Sequence, residues 1–209
     1  MKGLFLSFEG SDASGKSTQI GLLKDWLEAQ GIHPLVTREP GGTAIGERIR
    51  SILLDRGSRE MLPVTEALLY AASRAQHVGQ VIRPALEEGR VVITDRFVDS
   101  SIAYQGYGRK LGRVAEEINA PAVDGVMPDL TILLVVDPGD MRRRRSAGEE
   151  DRIEAEGLAF QSAVREGFLQ IAEKEKERFL VIDGRQPVDV IAEEIRRAVA
   201  ALAGLNYEQ

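Results

Sequence analysis

One run of residues has the spacing of a phosphate cradle. Gly10-Ser11-Asp12-Ala13-Ser14-Gly15-Lys16-Ser17 fits G-x-x-x-x-G-K-[ST] without deviation. Glycines at this spacing let a loop wrap closely around an anion, and successive backbone N–H groups turned inward hold it. Lys16 would reach the β- and γ-phosphates of a nucleotide. The Ser17 hydroxyl, with Thr18 beside it, would open a helix whose positive end faces the same anion. Ser17 is also placed to ligate Mg²⁺. The segment N-K-x-D, which reads guanine in nucleotide switches, is absent.

Three further segments carry charge. Thr37-Arg38-Glu39-Pro40-Gly41-Gly42-Thr43 is the first. Asp95-Arg96-Phe97-Val98-Asp99-Ser100-Ser101-Ile102-Ala103-Tyr104-Gln105 is the second. The third runs from Arg142 to Glu154 and contains Arg142, Arg143, Arg144, Arg145 and Arg152.

These segments need a scaffold. Short apolar runs at Leu4–Glu9, Pro34–Arg38, Val91–Asp95, Leu130–Val136 and Phe179–Asp183 predict five strands. They are continuously apolar rather than alternating, as strands covered on both faces are, which favours a parallel sheet. Helical patterns fill Lys16–Gln30, Ala44–Leu54, Val64–Glu88 and Val188–Leu202, with Pro84 expected to kink or split the third. Ile45, Ile49, Ile52 and Leu53 share one side of the second, and Leu68 belongs to the apolar stripe of the third. Strands separated by helices give an α/β, doubly wound fold. Ligands in such folds sit at the carboxyl ends of the strands. Here those ends carry Glu9, Arg38-Glu39, Asp95-Arg96 and Asp137.

Composition removes several alternatives. The chain has 209 residues, which suits one domain, with a small lid at about residues 141–155. It contains no cysteine, so disulfides, thiolate metal sites and Cys nucleophiles are excluded, and two histidines are too few for a His-rich metal centre. Acidic residues outnumber basic ones, 33 to 27, against a protein that coats nucleic acid. No apolar run is long enough for a membrane span and no secretory leader is apparent, so a cytoplasmic protein is expected.

Together the phosphate loop and the three segments resemble the thymidylate kinase family, from about residue 4 to residue 183. The combination T-R-E-P-G-G-T with D-R-[YFH]-x-x-S-x-x-A-Y carries the resemblance. It implies a P-loop NTPase fold with five parallel strands covered by helices on both faces. It implies transfer of a phosphoryl group from ATP to dTMP, with Mg²⁺, and a homodimer. Arg96 would hold the dTMP phosphate, with Arg38 close by. Asp95, Ser17 and Glu9 would lie near the metal, Glu9 alternatively near the acceptor phosphate. Tyr70 would stack on thymine and Arg74 would donate to a base carbonyl. Ser101 or Gln105 would read the imide edge, with Ser100 beside them. Tyr104 would exclude a 2′-hydroxyl, and Asp12 would accept from the 3′-hydroxyl. Ala13 stands where some members have a loop arginine, which points instead to lid arginines, above all Arg143 and Arg145.

Plainer readings stand beside these. The arginine run also suits a solvated face or a nucleic-acid patch. Tyr70 also suits the core, and Arg74 an ordinary surface position. Glu39 is either a structural partner of a nearby arginine or part of the chemistry. Arg152 is expected to pair with Asp151 or Glu154, or to pack on adenine. His33 and His77 receive no role, and Trp26 is expected to pack.

Overall fold

The structure, a computed structural model, describes residues 3–137, 139–140 and 151–205. Five strands form one sheet in the order β2-β3-β1-β4-β5: β1 Leu4–Glu9, β2 Leu35–Arg38, β3 Val91–Asp95, β4 Leu130–Val135 and β5 Phe179–Asp183. All four pairings are parallel. Alternate residues of one strand serve opposite faces. Leu6 and Phe8 of β1 pack with Ile20, Leu23 and Leu27 of α1 (Lys16–Ala29) and with Ile191, Ile195 and Val199 of the last helix, Val188–Ala203. Phe5 points the other way, into a cluster with Val78, Ile82, Val92 and Phe97. This explains the unbroken apolar runs. Trp26 packs against the first cluster.

The register aligns the strand ends. Phe8 lies opposite Asp95, and Asp95 opposite Arg38. From β1 the chain crosses toward β2, and from β3 it crosses back to β4, so the two connections diverge. A crevice opens between such loops. The phosphate loop follows β1, and Arg96 follows β3.

The long helical pattern is three pieces in the structure. α3 covers Pro63–His77, a π-helical turn covers Val78–Ile82, and α4 covers Arg83–Glu87. Pro84 sits in the first turn of α4. A proline there has no N–H to bond back and its ring crowds the preceding turn. The wider turn immediately before it takes up that misfit. Three helical stretches went unread in the sequence. They are α5 (Val98–Ser101) running into a π-helical segment at Ile102–Gly108, α6 (Arg113–Val123), and α7 (Leu158–Lys174). Val164, Phe168, Ile171 and Ala172 of α7 pack against Tyr104 and Leu133. Their spacing was the overlooked signal.

The apolar side predicted for α2 (Ala44–Leu54) divides. Leu53 is buried, whereas Ile45 and Ile52 face solvent, as does Leu68 of α3.

Candidate functional site

The loop between β1 and α1 closes tightly. Gly10 has φ +130°, and a Cβ there would lie 2.4 Å from the Leu134 carbonyl oxygen of β4. Only glycine combines that backbone with that approach. Gly15 also has positive φ and stands at the start of α1. Lys16 folds over the loop and donates to the carbonyls of Gly10 at 3.2 Å and Ser11 at 3.0 Å. Burial, then the charge of Arg96, lower its ammonium to about 8. Asp12 through Thr18 line a cavity with Arg38, Glu39, Arg50, Asp95 and Arg96.

A second cavity adjoins it. Its walls include Asp12, Tyr70, Arg74, Arg96, Ser100, Ser101, Tyr104 and Gln105, with Leu54 and Ile153 closing one side. Asp12, Glu39, Arg50 and Arg96 line both cavities and form the wall between them.

Arg96 is held at that wall by unusual means. Its φ is +71°, strained for a residue with a side chain. Its N–H bonds to the Phe8 carbonyl, and its own carbonyl accepts from the Thr94 hydroxyl. The guanidinium donates to Asp12 at 2.8 Å, to the Gly10 carbonyl at 2.9 Å, to Ser100 at 3.1 Å and to the Tyr104 hydroxyl at 3.2 Å. Glu9 lies beneath, fully buried. It accepts from the Phe97 N–H at 2.7 Å, the Ser100 hydroxyl at 2.5 Å and the Ser7 hydroxyl at 3.0 Å. Burial, then the neighbouring Asp99 charge, raise its carboxyl to about 7. Glu9 lines neither cavity. Asp95 and Ser17 do line the loop cavity, and Asp95 Oδ1 is buried with no hydrogen-bond partner among the described residues.

Arg74 sits at the back of the second cavity, its side chain only 1% exposed. Nε donates to Glu39 at 2.8 Å, and Nη1 donates to Ser101 at 3.0 Å and also to Asn119. Nη2 reaches the Phe97 carbonyl at 3.1 Å and Glu39 at 2.8 Å. Four hydrogen bonds and one ion-pair contact therefore surround the guanidinium. The ordinary surface role considered for Arg74 does not fit, and its partner Glu39, which lines both cavities, meets His77 Nδ1 with its other oxygen at 3.0 Å. His77 Nε2 lies 2.7 Å from the Thr37 hydroxyl. Gly42 leaves room for the His77 ring, because a Cβ there would stand 2.6 Å from it. Tyr70 is half-buried and lines the cavity, and burial, then the Glu66 charge, raise its phenol so that it stays neutral. The Tyr104 ring lies under Arg96 and edge-on to Phe160 and Phe168.

Arg38 is placed in the loop cavity, not the second one. It donates to Glu47 at 3.0 Å and to the Pro40 carbonyl at 3.2 Å. Arg50 of α2, which the sequence reading passed over, donates to the same carbonyl at 3.0 Å and lines both cavities. Its signal was a cation on the helix that grows out of the Thr37–Thr43 segment. Periodicity alone does not say which face of that helix meets the loop. Glu66 and Asn119 were also missed. Arg152 pairs with Glu66 and with the Leu53 carbonyl rather than with Asp151 or Glu154. Arg143 and Arg145 lie outside the described residues, as do residues 141–150 of the 141–155 lid segment.

A glycine loop that binds phosphate at the crevice of a parallel sheet, with a second cation-walled cavity against it, defines a P-loop phosphotransferase. Comparison with known proteins narrows the class. A sequence model described as thymidylate kinase matches residues 8–195. The chain is 50% identical over 201 residues to a thymidylate kinase of Pelotomaculum thermopropionicum, covering 95% of this chain and 93% of that one. It is 51% identical over 199 residues to one of Clavibacter sepedonicus, covering 94% of each. The solved thymidylate kinase of Ehrlichia chaffeensis superposes with a TM-score of 0.78 at 33% identity, covering 95% of this chain and 99% of that one. The chain belongs to the thymidylate kinase family.

Proposed function

We propose that the protein transfers the γ-phosphoryl group of ATP to the phosphate of dTMP, giving ADP and dTDP. The observation that carries this assignment is the shared wall: Arg96 and Arg50 face the phosphate loop on one side and the second cavity on the other. Two phosphate groups bound in the two cavities would meet across fixed cations. Positioning and charge stabilisation are most of what phosphoryl transfer needs, because the acceptor phosphate is itself the nucleophile.

In this reading the loop amides and Lys16 hold the ATP phosphates. Arg96 and Arg50 hold the dTMP phosphate, with Arg38 on the donor side. Tyr70 faces the base, Ser101 and Gln105 read its imide edge, and Asp12 and Tyr104 flank the sugar. Since Ser101 accepts from Arg74, its own O–H is left to donate. Arg74 acts on the base through Ser101. The donor set fits Mg²⁺: Ser17 and the unpartnered Asp95 oxygen offer one or two oxygen ligands, and this ion keeps most of its waters. Bound there, it would neutralise charge on the β- and γ-phosphates. Glu9, with its oxygens occupied, braces the turn that carries Arg96. Lid residues 141–155, with Arg143 and Arg145, would close over the donor as part of one kinase domain and exclude water.

We further assign a homodimer through α2 and α3. Ile45, Ile52, Val64 and Leu68 are exposed, though apolar, and those two helices pack together. Leu68→Asp should convert the dimer to a monomer by sedimentation. No helix among the described residues is long and apolar enough to cross a membrane. We place the enzyme in the cytoplasm, where its nucleotide substrates are.

The test is ADP release from ATP–Mg²⁺ with each nucleoside monophosphate offered separately. A rate that appears with dTMP and is small with dCMP, dGMP and AMP is expected. Hydrolysis that ignores the acceptor would overturn the assignment.

A further inference from the structure

Glu66 stands in the first turn of α3, fully buried, and no step of the reaction above uses it. Its carboxylate accepts from three side chains. Oε1 accepts from Gln105 Nε2 at 2.9 Å. Arg109 reaches Oε1 at 3.1 Å through Nε and Oε2 at 3.0 Å through Nη2. Arg152 reaches Oε2 at 2.6 Å through Nη1.

We propose that Glu66 is a positioning residue that fixes which end of the Gln105 amide faces the acceptor base, and so sets the choice between thymine and cytosine. This rests on the reading that the second cavity holds the acceptor nucleotide. Gln105 lines that cavity. An amide carries a donor end and an acceptor end of nearly equal size, and only its partners decide the orientation. An ionised carboxylate accepts and cannot donate. The Gln105 Nε2 must therefore turn to Glu66, and the amide has its oxygen to present to the cavity. Two guanidiniums keep Glu66 ionised. Burial alone would raise its carboxyl, but the bonds from Arg109, Gln105 and Arg152 bring it below the ordinary range.

An oxygen at this place suits thymine and uracil, whose N3 carries a proton. Opposite cytosine, whose N3 is a bare acceptor, it sets acceptor against acceptor. A buried polar reader left unpaired rejects a base strongly. The same carboxylate ties in Arg152, within the 141–155 segment read as the lid, so the base reader and that segment share one anchor.

Steady-state kinetics with dTMP, dUMP and dCMP test the assignment. In Glu66→Gln the new amide can donate, so Gln105 is free to turn its Nε2 into the cavity. The ratio of kcat/KM for dTMP over dCMP should fall by about tenfold or more. The ratio for dTMP over dUMP should hold within about twofold, since both bases carry the N3 proton and differ by one methyl. A mutation that merely loosened the fold would lower all three together. Gln105→Leu removes the reader and should also lower the dTMP-to-dCMP ratio. If Gln105→Leu lowers it and Glu66→Gln does not, Glu66 does not orient the amide and the cavity reading survives. If neither changes it, Gln105 does not read the base and the cavity reading fails as well. Should Glu66→Gln not fold, Glu66→Asp keeps an acceptor-only group and should retain the ratio. A fall to the Gln105→Leu value would overturn the proposal.

Discussion

The two cavities that meet at Arg96 are built in opposite ways. The phosphate-loop cavity draws most of its wall from one stretch, Asp12 to Thr18, and much of what it offers is backbone. The second cavity draws on α2, α3, the segment after β3 and residues 151 and 153, and offers side chains. A local loop can be rigid because its own φ angles are set, as at Gly10 and Gly15. A distributed cavity has to be braced from outside. Two buried carboxylates do this at opposite ends of α3. Glu39 clamps Arg74 and His77 near the last turn, and Glu66 clamps Gln105, Arg109 and Arg152 at the first. Damage to the first cavity should therefore cost activity alone, whereas damage to the second should cost stability too.

The largest effect is expected from metal removal. Chelation with EDTA should abolish turnover and leave the melting temperature unchanged, because the described residues hold no cluster of three or more metal-ligating side chains that a fold could depend on. A melting shift would break the comparison at the loop side. Lys16→Ala comes next. It should lower kcat by about 10²–10³-fold, as loss of one preorganised donor does, with an unchanged far-UV spectrum. Near-normal turnover would remove Lys16 from its assigned place.

Arg96→Ala tests the wall itself. Removing a largely buried, hydrogen-bonded charge costs about 2–5 kcal/mol, so kcat/KM for dTMP should fall by about 30-fold or more. The KM for ATP should change little. An unaltered dTMP titration would separate Arg96 from the acceptor. Arg74→Met sharpens the contrast from the other side. It takes the guanidinium from Glu39 and leaves that buried carboxylate only the His77 ring, and breaking a buried ion pair costs about 3–5 kcal/mol. Calorimetry should register that loss, and a melting temperature equal to wild type would mean that the second cavity is not braced through Glu39. The smallest effect belongs to Tyr104→Phe. It deletes one hydrogen bond from Arg96, worth about 0.5–1.5 kcal/mol, so kcat/KM for dTMP should stay within about tenfold while the ring still packs on Phe160 and Phe168.

Legibility followed the same division. The strands read correctly to within a residue or so because their apolar runs are unbroken. The helix at Leu158–Lys174 was overlooked because its motifless, charged sequence drew no notice. Ser17 could be named from the motif spacing because it is fixed to a helix start, whereas Asp95 and Glu9 showed only as charged strand ends, and the family resemblance alone put them near a metal. The occupation of Glu9 by Phe97, Ser100 and Ser7 could not be read in the sequence, since those partners arrive from the loop after β3, from α5 and from β1 itself. Arg74 and Tyr70 lie four residues apart on one helix and so share a face. Only packing reveals that Arg74 is bound to Glu39, Ser101, Asn119 and the Phe97 carbonyl.

The sequence by itself determined the parallel α/β sheet, the phosphate loop and the family, because each depends on near neighbours: hydrophobic period, glycine torsions and contiguous motif. The tertiary structure alone decided that Arg50 stands in the shared wall while Arg38 keeps to the loop side. It alone set Glu66 under Gln105 and turned Ile45, Ile52 and Leu68 outward. These are questions of which helix face meets which neighbour. A rotation of one residue, about a quarter turn, changes the answer without changing the pattern.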